Sequence, residues 1–236
     1  MSLFDAYPYL ALSLAMQAPL AAGLLWCRGQ RRLLLLSAAL AAPFAFTSYF
    51  YVPDYWRPIR VANFLRTGPE DLLVSGAMGA CIWVVALWPF RRRVRYHVTA
   101  ARCVGRYAWV AALGVALAFT TKVLGWRAAP GSLITIGAMA LLLAVLRGEL
   151  WRCALAGAIG FPLCCVPLLS ASYRLWPHFA EQWNHANLLG VSMFGVPVEE
   201  VAWALVTGAT WPLFIGYVFD ARWTRPGAED LPPSLA

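Results

Sequence analysis

Residues 197–219 read PVEEVAWALVTGATWPLFIGYVF, and residues 68–90 read GPEDLLVSGAMGACIWVVALWPF. Each stretch has a proline and a pair of acidic residues near its start, followed by an apolar run without charged residues. A helix needs about 20 apolar residues to cross the hydrocarbon core of a bilayer. Each stretch therefore predicts a transmembrane helix that begins with two carboxylates.

The whole chain has the composition of a polytopic membrane protein. Of its 236 residues, 61% are hydrophobic and 13% are charged, whereas soluble domains carry roughly 25% charged residues. This composition excludes a water-soluble globule, and the absence of low-complexity runs excludes a disordered or fibrous protein. The predicted spans are residues 7–26, 33–52, 70–90, 107–125, 130–146, 150–171 and 194–219. The sequence therefore predicts an all-α integral membrane protein with seven transmembrane helices.

The basic residues predict the orientation of the chain. The net charge of +8 arises from 18 arginines and one lysine, Lys122. Alternate loops carry 13 and 6 of these residues, and cytoplasmic loops collect the excess of positive charge. We therefore expect a multi-pass protein of the cell membrane, with the N-terminus outside and the C-terminus cytoplasmic. Nucleic-acid binding is the weaker interpretation of this charge, and no basic n-region precedes the first span to suggest a cleaved signal.

The two acidic stretches indicate an internal repeat. A shift of 129 residues (199 − 70) superimposes both acidic pairs and a glycine from each stretch. The superimposed pairs are Glu70 and Glu199, Asp71 and Glu200, and Gly79 and Gly208. Helices one to three then correspond to helices five to seven, with parallel topology. The predicted organisation is a first repeat at 1–106, a connecting helix at 107–129, a second repeat at 130–221 and a cytoplasmic tail at 222–236.

The four carboxylates of the repeat are the main candidates for catalysis. An ionisable group at membrane depth is expensive, about 2.5 to 3.5 kcal/mol for a central Asp, so its presence suggests a function. Acidic residues in a first helical turn are also favoured by the helix dipole, which is the simpler alternative. Their occurrence in matching positions favours function. Apolar surroundings keep one carboxylic acid protonated while another stays ionised, so such a site can donate and accept a proton.

Aromatic residues precede both acidic pairs. Tyr49, Tyr51, Tyr55 and Trp56 precede the first pair, and Trp176, Trp183 and Phe194 precede the second. Aromatic faces can stabilise a carbocation by cation–π attraction, worth up to about 2 kcal/mol when desolvated. Trp and Tyr also collect at membrane interfaces as anchors, whatever the function.

Four motifs in the chain carry a resemblance to a known family. They are Tyr51-Val-Pro-Asp-Tyr-Trp56, Gly68-Pro-Glu-Asp-Leu-Leu73, Trp183-Asn184 with Asn187-Leu188, and Phe194-Gly-Val-Pro-Val-Glu-Glu200. Together they resemble the membrane lycopene cyclases of the heterodimeric bacterial and the fused archaeal and fungal types. The resemblance extends from the first helix to Phe219, and Pro-x-Glu-Glu is its most recognisable element. The first half has Gly68-Pro69-Glu70 in place of Pro-x-Glu, which leaves the functional equality of the halves open.

The resemblance implies cyclisation of a polyene end group, such as that of lycopene, without a cofactor. A carboxylic acid protonates the terminal double bond, an internal double bond closes a six-membered ring, and a base removes a proton. The implied catalytic residues are Glu70, Asp71, Glu199 and Glu200. The expected substrate-binding residues are Tyr55, Trp56, Trp183, Asn184, Asn187 and Phe194. No metal is expected, the expected partners are a hydrophobic polyene or terpenoid substrate and membrane lipid, and a homo-oligomeric state is left open.

Several alternatives stay open at this point. The substrate of a related cyclase can be another terpenoid or a prenylated compound. A non-catalytic proton-coupled transporter or lipid-binding protein would use the carboxylates as proton or cation sites. A retinal protein needs a Schiff-base lysine in a late helix, whereas Lys122 lies at the end of the fourth predicted span. His178, Glu181 and His185 have a spacing that would need further ligands to hold a metal.

Overall fold

Seven helical spans of membrane length make up most of the protein. The computed structural model describes residues 2–224, so residues 225–236 of the predicted tail lie outside the described residues. The spans are Pro8–Trp26, Arg28–Tyr51, Pro69–Phe90, Ala100–Val123, Ala128–Leu146, Gly148–Leu175 and Val198–Val218, numbered here in chain order. Each is long and apolar enough to cross a bilayer. The prediction of an all-α multi-pass membrane protein with seven spans is confirmed.

Several spans contain a break in the regular α-helix. The first span consists of the α-helices Pro8–Ala15 and Ala18–Trp26. The second span begins with a 3-10 turn, continues as the α-helix Arg31–Ala41 and the 3-10 segment Ala42–Thr47, and ends as Ser48–Tyr51. The third span is α-helical over Pro69–Ile82 and π-helical over Trp83–Leu87. The remaining α-helices are Leu3–Ala6, Ala100–Val123, Ala128–Leu146, Trp151–Leu175, Pro177–Ala180 and Val198–Val218.

Within residues 2–224, four two-residue strands form two antiparallel pairs. The strand β1 (Val94–Arg95) pairs with β4 (Arg222–Trp223), whereas β2 (Ser192–Met193) pairs with β3 (Val196–Pro197). The turn between β2 and β3 contains Phe194 and Gly195, both with positive φ. Because this hairpin occupies residues that the hydropathy pattern assigns to the last span, that span begins at Val198 instead of the predicted residue 194. The fourth span begins at Ala100, earlier than the predicted residue 107.

Glycines set the closest approaches between spans. A Cβ added at Gly157 of the sixth span would lie 2.0 Å from the carbonyl oxygen of Gly208 of the seventh. A Cβ added at Gly79 of the third span would lie 2.5 Å from Cβ of Ala41 of the second, and Ser37 donates a hydrogen bond of 2.8 Å to the Gly79 carbonyl. Small residues let membrane helices approach closely. Gly79 and Gly208, which the repeat superimposes, therefore both lie at close helix contacts.

An ionic cluster around Asp220 joins the ends of several spans. Arg147 and Arg106 lie 2.6 Å and 3.1 Å from Oδ1 of Asp220, and Arg102 and Arg222 lie within 3.7 Å of its carboxylate. Burial would raise the pKa of Asp220, but hydrogen bonds and charges from Arg106 and Arg147 hold the pKa below its usual value. The cluster ties the fourth span and the connection between the fifth and sixth spans to the end of the seventh.

The contact between Gly157 and Gly208 predicts a specific stability effect. We expect Gly157→Ala to lower the free energy of unfolding by about 1 to 3 kcal/mol, because the added methyl group would overlap backbone atoms. Gly137→Ala is the matched control, since a Cβ at Gly137 would meet no heavy atom within 4 Å. Thermal unfolding in detergent gives the unfolding midpoint of each variant. Equal midpoints for Gly157→Ala and Gly137→Ala would contradict the expected effect.

Candidate active site

A cavity of about 330 Å³ lies inside the bundle, and all seven spans contribute to its walls. The walls are mainly apolar. Among the described residues that line the cavity, Asp71 of the third span and Glu200 of the seventh carry the carboxylates. Each is the second acid of its predicted pair, whereas the first acids, Glu70 and Glu199, lie outside the lining. In each acidic pair, therefore, the second residue faces the cavity and the first does not.

The carboxylates lie toward one end of the cavity and an aromatic cluster toward the other. On the seventh span, the lining residues recur at helical spacing from Glu200 to Trp211 and Phe214. Trp211 lies eleven positions after Glu200, which corresponds to about 16 Å along a helix. Trp211 and Phe214 stack with ring centroids 5.0 Å apart, and Phe44 of the second span lies 5.7 Å from Phe214. The cavity is therefore deep, with its acids confined to the end where the third and seventh spans begin.

Asp71 is held as a fixed, paired carboxylate. Arg60 lies 2.7 Å from Oδ2 of Asp71, and the exposed fractions of the two side chains are 2% and 4%. Tyr9 and Ser48 donate hydrogen bonds of 3.0 and 3.2 Å to Oδ1, and the backbone N–H of Gly68 donates one of 2.6 Å to Oδ2. The last bond is the helix-capping contact expected of an acid at the third helical position. Both oxygens of Asp71 are thus occupied by donors.

Glu200 has a different environment, without a cation. The Tyr55 hydroxyl and the Trp183 indole N–H donate hydrogen bonds of 2.7 and 2.9 Å to the same oxygen, Oε1. In the described part of the chain, Oε2 accepts no protein hydrogen bond, and Glu200 has no ion pair. Burial, together with the nearby Glu200 charge, raises the pKa of Tyr55 far above its ordinary value, so Tyr55 remains a donor. One oxygen of Glu200 is therefore anchored and the other is free.

Glu70 and Glu199 contact the loop that precedes their own span. The backbone N–H of Val61 donates a hydrogen bond of 2.7 Å to Oε1 of Glu70. In the same way, Leu189 donates one of 2.5 Å to Oε1 of Glu199. The second oxygen of each residue is buried without a hydrogen-bond partner. The two first acids therefore have closely similar environments, and neither lines the cavity.

Five aromatic residues cover the acidic end of the cavity. This aromatic cover consists of Tyr9, Tyr55, Trp56, Phe179 and Trp183, all of which line the cavity. Its ring centroids lie 4.7 Å apart for Tyr9 and Trp56, 5.3 Å for Trp56 and Trp183, and 5.2 Å for Phe179 and Trp183. The loops at 52–68 and 176–197 meet here, with backbone hydrogen bonds from Arg57 to Gln182 and from Asn184 to Tyr55. The predicted substrate-binding residues Tyr55, Trp56 and Trp183 are thus brought together.

The other predicted substrate-binding residues lie outside the cavity lining. The side chains of Asn184 and Asn187 both donate hydrogen bonds to the carbonyl oxygen of Asp54, at 3.1 and 2.6 Å. They connect the two loops and do not contact the acids. Phe194 is 74% exposed at the tip of the β2–β3 hairpin. These three residues support or flank the site without facing the cavity.

No sequence motif points to two residues of the site, Arg60 and Tyr9. In the sequence, Arg60 is one of the basic residues of an outer loop, and Tyr9 is part of the first apolar span. A basic residue eleven positions before Asp71 is a weak signal, because loops have no periodicity that predicts where a side chain points. His178 and His185, by contrast, contact backbone carbonyls of Asp5 and Ala180.

The fold and the site define an integral membrane protein with a buried carboxylate, Asp71, and a partly buried one, Glu200, at one end of an apolar, aromatic-covered cavity. Residues 131–218 match the family model described as lycopene cyclase. The matched region covers nearly all of the fifth to seventh spans, including Glu199 and Glu200, so the second half of the chain is similar to lycopene cyclases. Comparison of the chain with curated proteins and with solved structures gave no match. The assignment to a heterodimeric or fused type stays a prediction.

The buried ion pair predicts a strong energetic coupling. We expect Arg60→Leu to lower the free energy of unfolding by about 3 to 5 kcal/mol, because it leaves a buried carboxylate without its cation. The double variant with Asp71→Leu should lose less than the sum of the single losses. Unfolding in detergent of the wild type, the two single variants and the double variant gives the coupling free energy.

Arg66→Leu is the control, since Arg66 lies in the same loop and its two hydrogen bonds go to backbone carbonyls. If the losses of Arg60→Leu and Asp71→Leu simply add in the double variant, the two residues are not coupled.

Proposed function

We propose that the protein is an integral-membrane cyclase that closes a six-membered ring at the end of a linear polyene such as lycopene. The reaction is an isomerisation and uses no cofactor. The family match over residues 131–218 supports a lycopene cyclase role. The observation that carries the mechanism is the position of Glu200, which has one anchored oxygen and one free oxygen at the wall of an apolar cavity.

Glu200 is the proposed proton donor. Tyr55 and Trp183 hold Oε1 in place, so the proton can reside on Oε2. A neutral carboxylic acid avoids the cost of an unpaired charge in apolar surroundings. The acid transfers its proton to one carbon of the terminal double bond, which leaves a tertiary cation on the substrate and a carboxylate on Glu200.

The aromatic cover stabilises the cation in this proposal. The faces of rings such as Trp56 and Trp183 attract a cation, by up to about 2 kcal/mol in a desolvated site. The charge of Asp71 is balanced by Arg60, and its oxygens are occupied by Tyr9 and other donors, so we assign Asp71 no part in the proton transfer. An internal double bond attacks the cation and closes the ring. The ring then loses a proton to the Glu200 carboxylate, which restores the acid and balances the reaction.

Glu70 and Glu199 have a positioning role in this proposal. Each accepts the backbone N–H of a loop residue, Val61 or Leu189. These loops carry Trp56 and Trp183, which meet above the cavity. The two glutamates thus hold the aromatic cover in place without contacting the reacting atoms.

The same arrangement suits the reactive end of another terpenoid, because the acid and the rings contact only the end group. A retinal protein is disfavoured, since Lys122 lies outside the described lining of this cavity. The predicted orientation, with the acids toward the outside, and the association with lipid stay proposals. Comparison of lycopene with shorter acyclic terpenoids in one assay would define the substrate.

The assignment of Glu200 predicts a large loss of rate. Glu200→Gln should lower ring formation by about 10²- to 10⁴-fold, the usual contribution of a general acid, because an amide cannot donate the proton. Pigments from a lycopene-producing host, separated by chromatography and identified by mass, give the measurement. Glu181→Gln is the control, since Glu181 is exposed in the loop that carries Trp183. Ring formation by a well-expressed Glu200→Gln protein at the wild-type rate would refute the proposal.

The positioning role predicts a different response at Glu70 and Glu199. Glu199→Gln and Glu70→Gln should retain most of the activity, because glutamine keeps an oxygen that accepts the backbone N–H. Leucine at either position should lower the free energy of unfolding by about 1 to 3 kcal/mol through the unpaired N–H. Cyclisation rate and unfolding midpoint are measured on the same preparations. A Glu199→Gln protein that folds normally yet loses as much rate as Glu200→Gln would make Glu199 a catalytic residue instead.

A further inference from the structure

The cavity reaches the outer surface of the bundle beside the fourth span. Val110, Gly114, Val115 and Ala118 of this span line the cavity. Val115 is also 49% exposed, and a Cβ added at Gly114 would meet no heavy atom within 4 Å. A residue that lines a cavity and is half exposed marks a place where the wall is incomplete. The wall is therefore open at the level of Gly114 and Val115.

Two contacts between the second and fourth spans bound this opening. On one side, the Tyr107 hydroxyl donates a hydrogen bond of 3.1 Å to the Leu40 carbonyl. On the other side, Nζ of Lys122 lies 5.4 Å from the centroid of the Tyr49 ring. Tyr107 and Lys122 are 15 residues apart (122 − 107), or about 22 Å along a helix. Gly114 and Val115 lie midway between these two contacts.

The surroundings of the opening are those of the bilayer interior. The fourth span has the smallest share of its apolar window buried inside the protein, 11% against 22% or more for the other spans. The fourth span is uncharged around Gly114 and Val115, and so is the segment Ala42–Thr47 of the second span. A hydrocarbon dissolved in the membrane can reach this opening without passing through water, which is the favourable route for an apolar molecule.

We propose that the opening at Gly114 and Val115, between the second and fourth spans, is the lateral entrance through which a linear polyene enters the cavity from the lipid. This inference rests on the proposed function. The end group passes the opening and reaches Glu200, and the rest of the chain stays in the entrance and the surrounding hydrocarbon. Gly114 keeps the passage wide, because any side chain at this position would project into it.

A bulky group attached after folding tests the entrance without risk to folding. Gly114→Cys protein, reconstituted in vesicles containing lycopene, is compared before and after reaction with N-phenylmaleimide. Labelling should slow ring formation by about tenfold or more, equivalent to at least about 1.4 kcal/mol of barrier. Gly105→Cys is the matched control, because Gly105 lies on the same helix, meets no heavy atom within 4 Å and does not line the cavity. Wild-type protein labelled in parallel corrects for the native cysteines, of which Cys164 is exposed.

A binding measurement separates the entrance from the chemistry. In the Glu200→Gln background, quenching of tryptophan fluorescence by lycopene reports association without turnover. Labelling at position 114 should slow this association by a similar factor, and labelling at position 105 should not. Equal rates for the two labelled proteins would overturn the lateral entrance. Ring formation by Glu200→Gln itself would overturn the proposed function and leave the association result valid.

Discussion

A carboxylate inside a membrane must be neutralised or hydrogen-bonded, and this constraint accounts for the arrangement at the acidic end of the bundle. Asp71 is paired with Arg60, Glu200 is bonded by Tyr55 and Trp183, and the remaining two acids accept backbone N–H groups. Most of these donors come from the loops at 52–68 and 176–197. The loops must therefore fold back over the starts of the third and seventh spans, and in doing so they form the aromatic cover of the cavity.

Two contacts join residues with nearly the spacing of the predicted repeat, which stays a prediction. Trp56 and Trp183 form an isolated β-bridge, and Val94 pairs with Trp223 between β1 and β4. The partners are 127 (183 − 56) and 129 (223 − 94) positions apart in the sequence. Both contacts are antiparallel, as expected where a two-fold axis passes between equivalent segments. We infer that a pseudo-two-fold axis runs through both. The halves nevertheless differ in charge, since Arg60 would correspond to Asn187 (60 + 127). In the predicted repeat, one of the two corresponding acids thus has a cation and the other does not.

The spans could be predicted because apolar length is a strong signal, and all seven are present. The start of the seventh span could not be predicted in this way. Phe194 and Val196 are apolar, yet they belong to a hairpin whose turn contains Gly195 with a positive φ. The acidic pairs lie in the first turns of the third and seventh spans, but adjacent helical residues point about 100° apart. Hydropathy does not tell which one faces a cavity. The roles of Arg60, Asn184 and Asn187 depend on long-range contacts between loops, which have no periodicity to predict them.

The difference between the two halves keeps the cavity electrically balanced during the proposed reaction. Before proton transfer, Asp71 and Arg60 cancel and Glu200 is neutral. After transfer, the substrate cation and the Glu200 carboxylate cancel, so no net charge enters the apolar interior at either stage. Arg60 and the other donors occupy both oxygens of Asp71, so Asp71 offers no free oxygen to the proton in the proposed reaction. In that reaction the buried arginine therefore serves the chemistry as well as the fold, since it pairs with Asp71 while Glu200 exchanges the proton.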